Sequence, residues 1–149
     1  TSSDFMYLIP LSDGSILIYP SQNTRIASEY EVFLLKNGDN SPGKLTISGV
    51  PSSALCFTGR GFEVNSKIGI TMALSADPAG PVGMAVFSLS ATDLVCEKLI
   101  ENTYAASYVY GKDPGTGECW YYGDSATCSK DVNALCSFDG ISVYEQNLP

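Results

Sequence analysis

The sequence predicts an α+β fold: an antiparallel β-sheet with one amphipathic helix, spanning about 91–106, packed on it, and a C-terminal region stapled by disulfides. Three observations lead there. Up to Leu89 the apolar residues sit in short runs, rich in Ile, Val, Tyr, Phe and Thr and broken by turn residues. Beyond Leu89 the apolar spacing changes to about 3.6 residues. Three of the five cysteines, Cys119, Cys128 and Cys136, crowd a tail rich in Gly and Tyr.

The strand segments follow in order as "FMYLIPL", "SILIYP", "EYEVFLLK", "KLTISGV", "KIGITMALSA" and "MAVFSLS". Between them, "SDGS", "KNGDNSPG" and "ADPAGPVG" can reverse the chain, because Gly supplies positive φ and Pro fixes φ. An antiparallel meander is the expected arrangement. The helix is expected to open at Ser90 as N-cap, with Asp93 three residues on as an aspartate version of the capping box and Leu89 and Leu94 as the staple. Val95, Cys96, Leu99, Ile100 and Tyr104 would form its apolar stripe, with Glu97, Lys98, Glu101 and Asn102 facing out. Gly111, Pro114, Gly115 and Gly117 stop it. In the tail, "ECWYYG" and "GISVYEQ" read as strands.

A chain of 149 residues, 44% hydrophobic, fits a single globular domain over 1–149. Sixteen acidic residues against eight basic ones give a net charge of -8, which argues against nucleic acid and anionic membrane surfaces as partners. No apolar run approaches bilayer length, and the chain, starting at Thr1 without a methionine, is read as a fragment processed or truncated at its front. The low charged fraction, 16%, and the abundance of Ser, Thr, Gly, Asn and Tyr suit a secreted or surface protein.

With no histidine in the chain, Ser-His-Asp and Cys-His catalysis are excluded. No carboxylate pair is marked for glycoside hydrolysis, and no Gly-rich stretch has the context of a phosphate loop, so an enzyme is not expected. The cysteine spacing and the lack of histidine predict neither a metal site nor a cofactor. Asp113, Asp124, Asp131 and Asp139 have the chemistry of calcium ligands, yet they read first as turn residues. In "ECWYYG", Trp120 and Tyr122 share one face of a strand and Tyr121 takes the other. This makes Trp120, Tyr121 and Tyr122 candidate contacts for a ligand or partner, set against a core role.

Cys96, in the first turns of the expected helix, can be a small core residue, an activated thiol or one end of a disulfide. A Cys96–Cys136 bond would tie the helix to the last strand and be worth about 3–4 kcal/mol. Cys119 with Cys128 would then close a short loop, leaving Cys56 as the odd thiol. Fifteen arrangements of two bonds remain open.

"VFSLSATDLVCEKLI" and "NALCSFDGISVYEQ" together resemble the globular domain of a type IVb pilin or minor pilin, over about the last two-fifths of the chain. "LTISGVPSSALC" also resembles the phrase ahead of that family's first cysteine. Cys96 takes the position because a capped helix is expected after it. The resemblance implies a subunit of a bacterial surface filament, mediating assembly or adhesion, with the linking disulfide securing the C-terminal region. Its partners would be other pilin subunits or a host or cell-surface receptor. It would be exported through the inner membrane, sit at the cell surface in the pilus, and touch membrane only through the family's long N-terminal hydrophobic helix, which this chain, as a soluble fragment, would lack. The chain departs from the family in its five cysteines and in what precedes Phe5. The alternative reading is a secreted carbohydrate-binding adhesin or lectin module, with Trp120 and Tyr122 stacking on a sugar.

Overall fold

The computed structural model describes residues 5–21, 31–77 and 79–149. Eight expected segments form strands, and four further stretches do so as well. The first four strands are β1 (Phe5–Pro10), β2 (Ile16–Ser21), β3 (Val32–Leu35) and β4 (Gly43–Ser48). Then come β5 (Cys56–Val64), β6 (Lys67–Ala73), β7 (Val82–Leu89) and β8 (Asp93–Thr103). The last four are β9 (Ala105–Lys112), β10 (Cys119–Asp124), β11 (Ala134–Phe138) and β12 (Val143–Asn147), with a short 3-10 turn at Ser125–Thr127. Residues 29 and 30 of the third expected segment, and Pro78 in "ADPAGPVG", lie outside the described residues.

The strands make two sheets. The larger has the order β1-β2-β3-β4-β8-β7-β6-β5, the smaller β12-β11-β10-β9. The larger sheet consists of two antiparallel meanders, β1–β4 and β5–β8, joined by one parallel ladder that sets Thr46, Ile47 and Ser48 against Asp93, Leu94 and Val95. That ladder departs from the single antiparallel meander expected. Right-handed strand twist curls so long a sheet, and β1 comes to lie against β5 without a ladder between them, making a nearly closed barrel with an open seam.

Two cores follow from this layering. Leu17, Tyr19, Phe57, Ile68, Ile70, Met72, Phe87 and Leu94 fill the concave side of the larger sheet. Tyr19 meets Phe57 edge-on, with centroids 5.1 Å apart. Phe62, Val64, Met84, Val86, Tyr121 and Phe138 fill the space between β5–β8 and the smaller sheet. The middle strands β6 and β7 are therefore covered on both faces, which is why "KIGITMA" and "VGMAVF" read as almost unbroken apolar runs. The layers touch closely at Gly69. A Cβ there would stand 2.9 Å from Phe138 Cε2 and 3.0 Å from Met84 Sδ, so only glycine lets the Phe138 ring lie on the β6 backbone.

The expected helix over 91–106 is instead β8 and the start of β9, and the fold is all-β. The reason is legible in the pairing. The β7–β8 ladder carries irregularities between Val86 and Phe87 and between Val82 and Met84. Each extra residue shifts which side chains face inward, so Leu94, Cys96 and Leu99 all reach the first core while Ile100 packs on the second. A bulged strand thus imitates a 3.6-residue period. Ser90 does accept from the Asp93 N–H at 3.0 Å, but its own N–H donates to the Asp93 carbonyl at 2.9 Å, which closes the β7–β8 hairpin.

The disulfide staples are likewise corrected. All five cysteines are buried free thiols. Cys56 and Cys96 lie in the first core, whereas Cys119, Cys128 and Cys136 lie in the second. The larger sheet itself separates Cys96 from Cys136. Cys119 opens β10, while the Cys128 thiol donates to the carbonyl of Asp124 at that strand's other end, at 3.3 Å. At the rise of an extended strand those ends are about 17 Å apart, beyond the reach of an S–S bond.

Candidate functional site

The smaller sheet has one face on the second core and one turned outward. In β10 the alternation puts Cys119, Tyr121 and Gly123 inside, and Trp120, Tyr122 and Asp124 outside. Tyr108 stands opposite Tyr122 across the β9–β10 ladder, and Gly111 stands opposite Trp120. On the other side Ser137 faces Trp120, and Tyr144 of β12 faces Ser137. The outward face therefore carries five aromatic side chains, Tyr108, Tyr110, Trp120, Tyr122 and Tyr144. Tyr108, Tyr110 and Tyr144 are each 57% exposed, and Trp120 and Tyr122 are half-buried among them.

The face has local order. The Tyr108 and Tyr110 rings meet edge-to-face, with centroids 5.2 Å apart. Ser137, between Trp120 and Tyr144, is almost fully covered, and its hydroxyl donates to Glu118 Oε2 at 3.3 Å. A small residue flanked by two large ones leaves those rings two strand spacings apart, about 10 Å. Tyr110, Lys112, Asp113, Pro114 and Trp120 enclose a shallow depression at one end. The β9–β10 hairpin is fixed there by Asp113, whose Oδ1 accepts from Gly115 N at 2.7 Å and Thr116 N at 3.3 Å.

Of the predicted contacts, Trp120 and Tyr122 are on this face and Tyr121 is not. Tyr121 is fully buried, its ring 5.2 Å from that of Phe62 and its hydroxyl beside the Cys136 thiol, without a conventional hydrogen-bond partner. Sequence reasoning missed Tyr108, Tyr110 and Tyr144. The signal was present in "SYVYG", where Tyr-x-Tyr repeats the period-two spacing of Trp120 and Tyr122.

The acidic turn residues act as local acceptors. Asp139 Oδ1 accepts from Ile141 N and Ser142 N at 2.8 and 2.7 Å, and these bonds, Ser142 first, hold its carboxyl below the usual value. Asp124 accepts from Ala126 N at 2.9 Å. Among the described residues no three metal-ligating side chains converge.

A polar network lies beside β12. Lys130 Nζ donates to the Asn102 carbonyl at 2.9 Å, stands 3.9 Å from Glu145, and lies 5.0 Å from the Tyr104 ring centroid. Tyr104 in turn donates to Asn147 Oδ1 at 3.0 Å. Burial raises the Glu145 carboxyl above its usual value, and Lys130 only partly offsets this. The folded state therefore holds that proton more tightly than the unfolded chain does. Its stabilising contribution is complete below the unfolded value of 4.5 and is lost as pH rises through the folded value. Glu145→Gln, which keeps the neutral form, is expected to melt at or above wild type at pH 7.5. The gap should close below the ordinary value, and a pH series of thermal midpoints checks it; a variant that melts lower at pH 7.5 would refute the assignment.

No family model, characterised protein or solved structure matches this chain. Without the helix, without the staple and without a relative of that kind, the pilin headpiece expected from the sequence is not what the chain forms.

Proposed function

We propose that the protein is a carbohydrate-binding module that docks an extended glycan on the outward face of the smaller sheet. The observation that carries this is the five aromatic side chains on one exposed β-face. Sugar rings present flat C–H faces that stack on aromatic rings, and hydroxyls that pair with polar groups at a rim. Trp120 and Tyr144 are spaced to meet two sugars of one chain, and Gln146 and Asp113 supply polar groups nearby. An exposed aromatic patch is otherwise a liability in a soluble chain, which favours a binding role. Such polymers are found outside cells, in agreement with the hydroxyl-rich, sparsely charged composition.

The test is calorimetry against a panel of hexasaccharides of β-1,4-glucan, chitin and mannan, with the fluorescence of Trp120, the sole tryptophan, followed in parallel. One member is expected to bind saturably and to shift Trp120 emission. Trp120→Ala should weaken it by about tenfold or more, the scale of a central aromatic contact. Tyr121→Phe, on the buried side, should leave affinity unchanged. Binding that survives Trp120→Ala, or no binding across the panel, refutes the proposal and leaves a protein partner as the occupant of the face.

A further inference from the structure

We propose that a second site, the cleft at the open seam of the barrel, binds a small amphipathic carboxylate. Its apolar body would lie against Tyr7, Ile9, Phe62 and Val109, and its head would meet Arg60 and Lys112. The cleft forms because three strand edges meet there without a shared ladder: β1 and β5 end the larger sheet, and β9 edges the smaller one. Side chains alone fill the gap, and they leave about 280 Å³ open. That lies near the lower end of small-molecule sites, about 300 Å³, and suits a medium-chain or monocyclic acid.

Gly61 lines the cleft. A Cβ there would stand 2.6 Å from Ile9 Cδ1 and 3.0 Å from the Gly69 carbonyl oxygen. Tyr19, fully buried, forms part of the lining and donates its hydroxyl to the Gly59 carbonyl at 3.2 Å. The walls are thus apolar and pre-formed, and the polar groups gather at the mouth.

The charge of the mouth selects the head group. The chain has only eight basic residues and a net charge of -8, yet two basic residues stand at this cleft. Its one carboxylate, Glu63, already accepts the Ser12 N–H at 2.8 Å, and Lys112 Nζ lies 3.9 Å from it, a loose pairing that leaves the ammonium donors for another anion. Arg60 Nε donates to the Ser107 carbonyl at 3.3 Å. That bond anchors the guanidinium and uses one of its five N–H groups. Low-dielectric walls strengthen the attraction of both cations for a bound carboxylate.

Titration of nitrogen-15-labelled protein with sodium octanoate, and separately with octan-1-ol, tests this. Octanoate is expected to shift the amides of Tyr7, Gly61, Phe62 and Val109 saturably, with octanol weaker by about tenfold or more. The double variant Arg60→Ala, Lys112→Ala should bring octanoate down to the octanol level, and Trp120→Ala should change neither, which separates this site from the glycan face. If the double variant does not fold, the wild-type octanoate-to-octanol ratio decides, since it should fall as salt rises. Equal affinity for the two probes, shifts elsewhere, or no saturation by about 10 mM overturns the proposal.

Discussion

Phe138→Ala is expected to destabilise the protein by about 3–5 kcal/mol, the cost of truncating a buried aromatic in a site that cannot collapse. The ring has no exposure and is 6.0 Å from that of Phe62. Its edge rests on Gly69, which has no side chain to move into the vacated space. β11 is held by ladders on both sides, to β10 and β12, so the backbone cannot settle inward either. Since a domain of this kind is stable by about 5–15 kcal/mol in total, much of the margin goes with one ring. Urea unfolding checks it: the midpoint should fall with an unchanged slope. A loss under about 1 kcal/mol would mean that the two sheets do not press together there.

The thiols carry the second large effect. All five should be inert to 5,5′-dithiobis(2-nitrobenzoate) in the native protein and should titrate fully once urea unfolds it. Burial pushes the Cys119 thiol up to about 11 and the Cys136 thiol up to about 12, from 9.0. At a given pH, Cys136 then has about a thousandth of the thiolate of an unperturbed cysteine, before any loss of access is counted. Dithiothreitol should leave the thermal midpoint where it was, whereas a Cys96–Cys136 bond would have supplied about 3–4 kcal/mol that reduction removes. Fewer than five thiols in urea without reductant would show that a bond exists and overturn the assignment.

The legible part of the fold was local. Short alternating segments such as "SILIYP" announce half-covered strands, and the turn residues between the segments bound the hairpins. What misled was the segment 93–103, where bulges move the inward face and Ser90 and Asp93 make the bonds of a cap inside a hairpin. Nothing in residues 43–48 or 93–103 alone says that they pair in parallel, because that choice depends on the curl of the whole sheet. The cysteines misled for a related reason. Closeness along the tail says nothing of which face of a sheet a thiol occupies, and Cys136 is on the far side of β5–β8 from Cys96.

For the candidate glycan face, period two within "ECWYYG" separated Trp120 and Tyr122 from Tyr121, and the structure keeps that separation. Tyr108 and Tyr110 were hidden by the expected helix that ended just before them. Tyr144 was hidden by distance in sequence, since only the β10–β11–β12 ladders bring it into line with Trp120. The seam cleft had no sequence signal at all. Tyr7, Arg60 and Lys112 meet only when the barrel curls and the smaller sheet lies over it.

The single parallel ladder also orders events while the chain is being made. The outer edge of β4 stays unsatisfied until β8 has been synthesised, because its only partner there is the strand from Asp93 onward. Neither meander can complete its edge alone, and one pairing event completes both. Long-range pairings of this sort are slow to form and leave bare strand edges in the interval. The nascent N-terminal half is thus a sheet awaiting its keystone, and the emergence of β8 is the point at which the halves become one body.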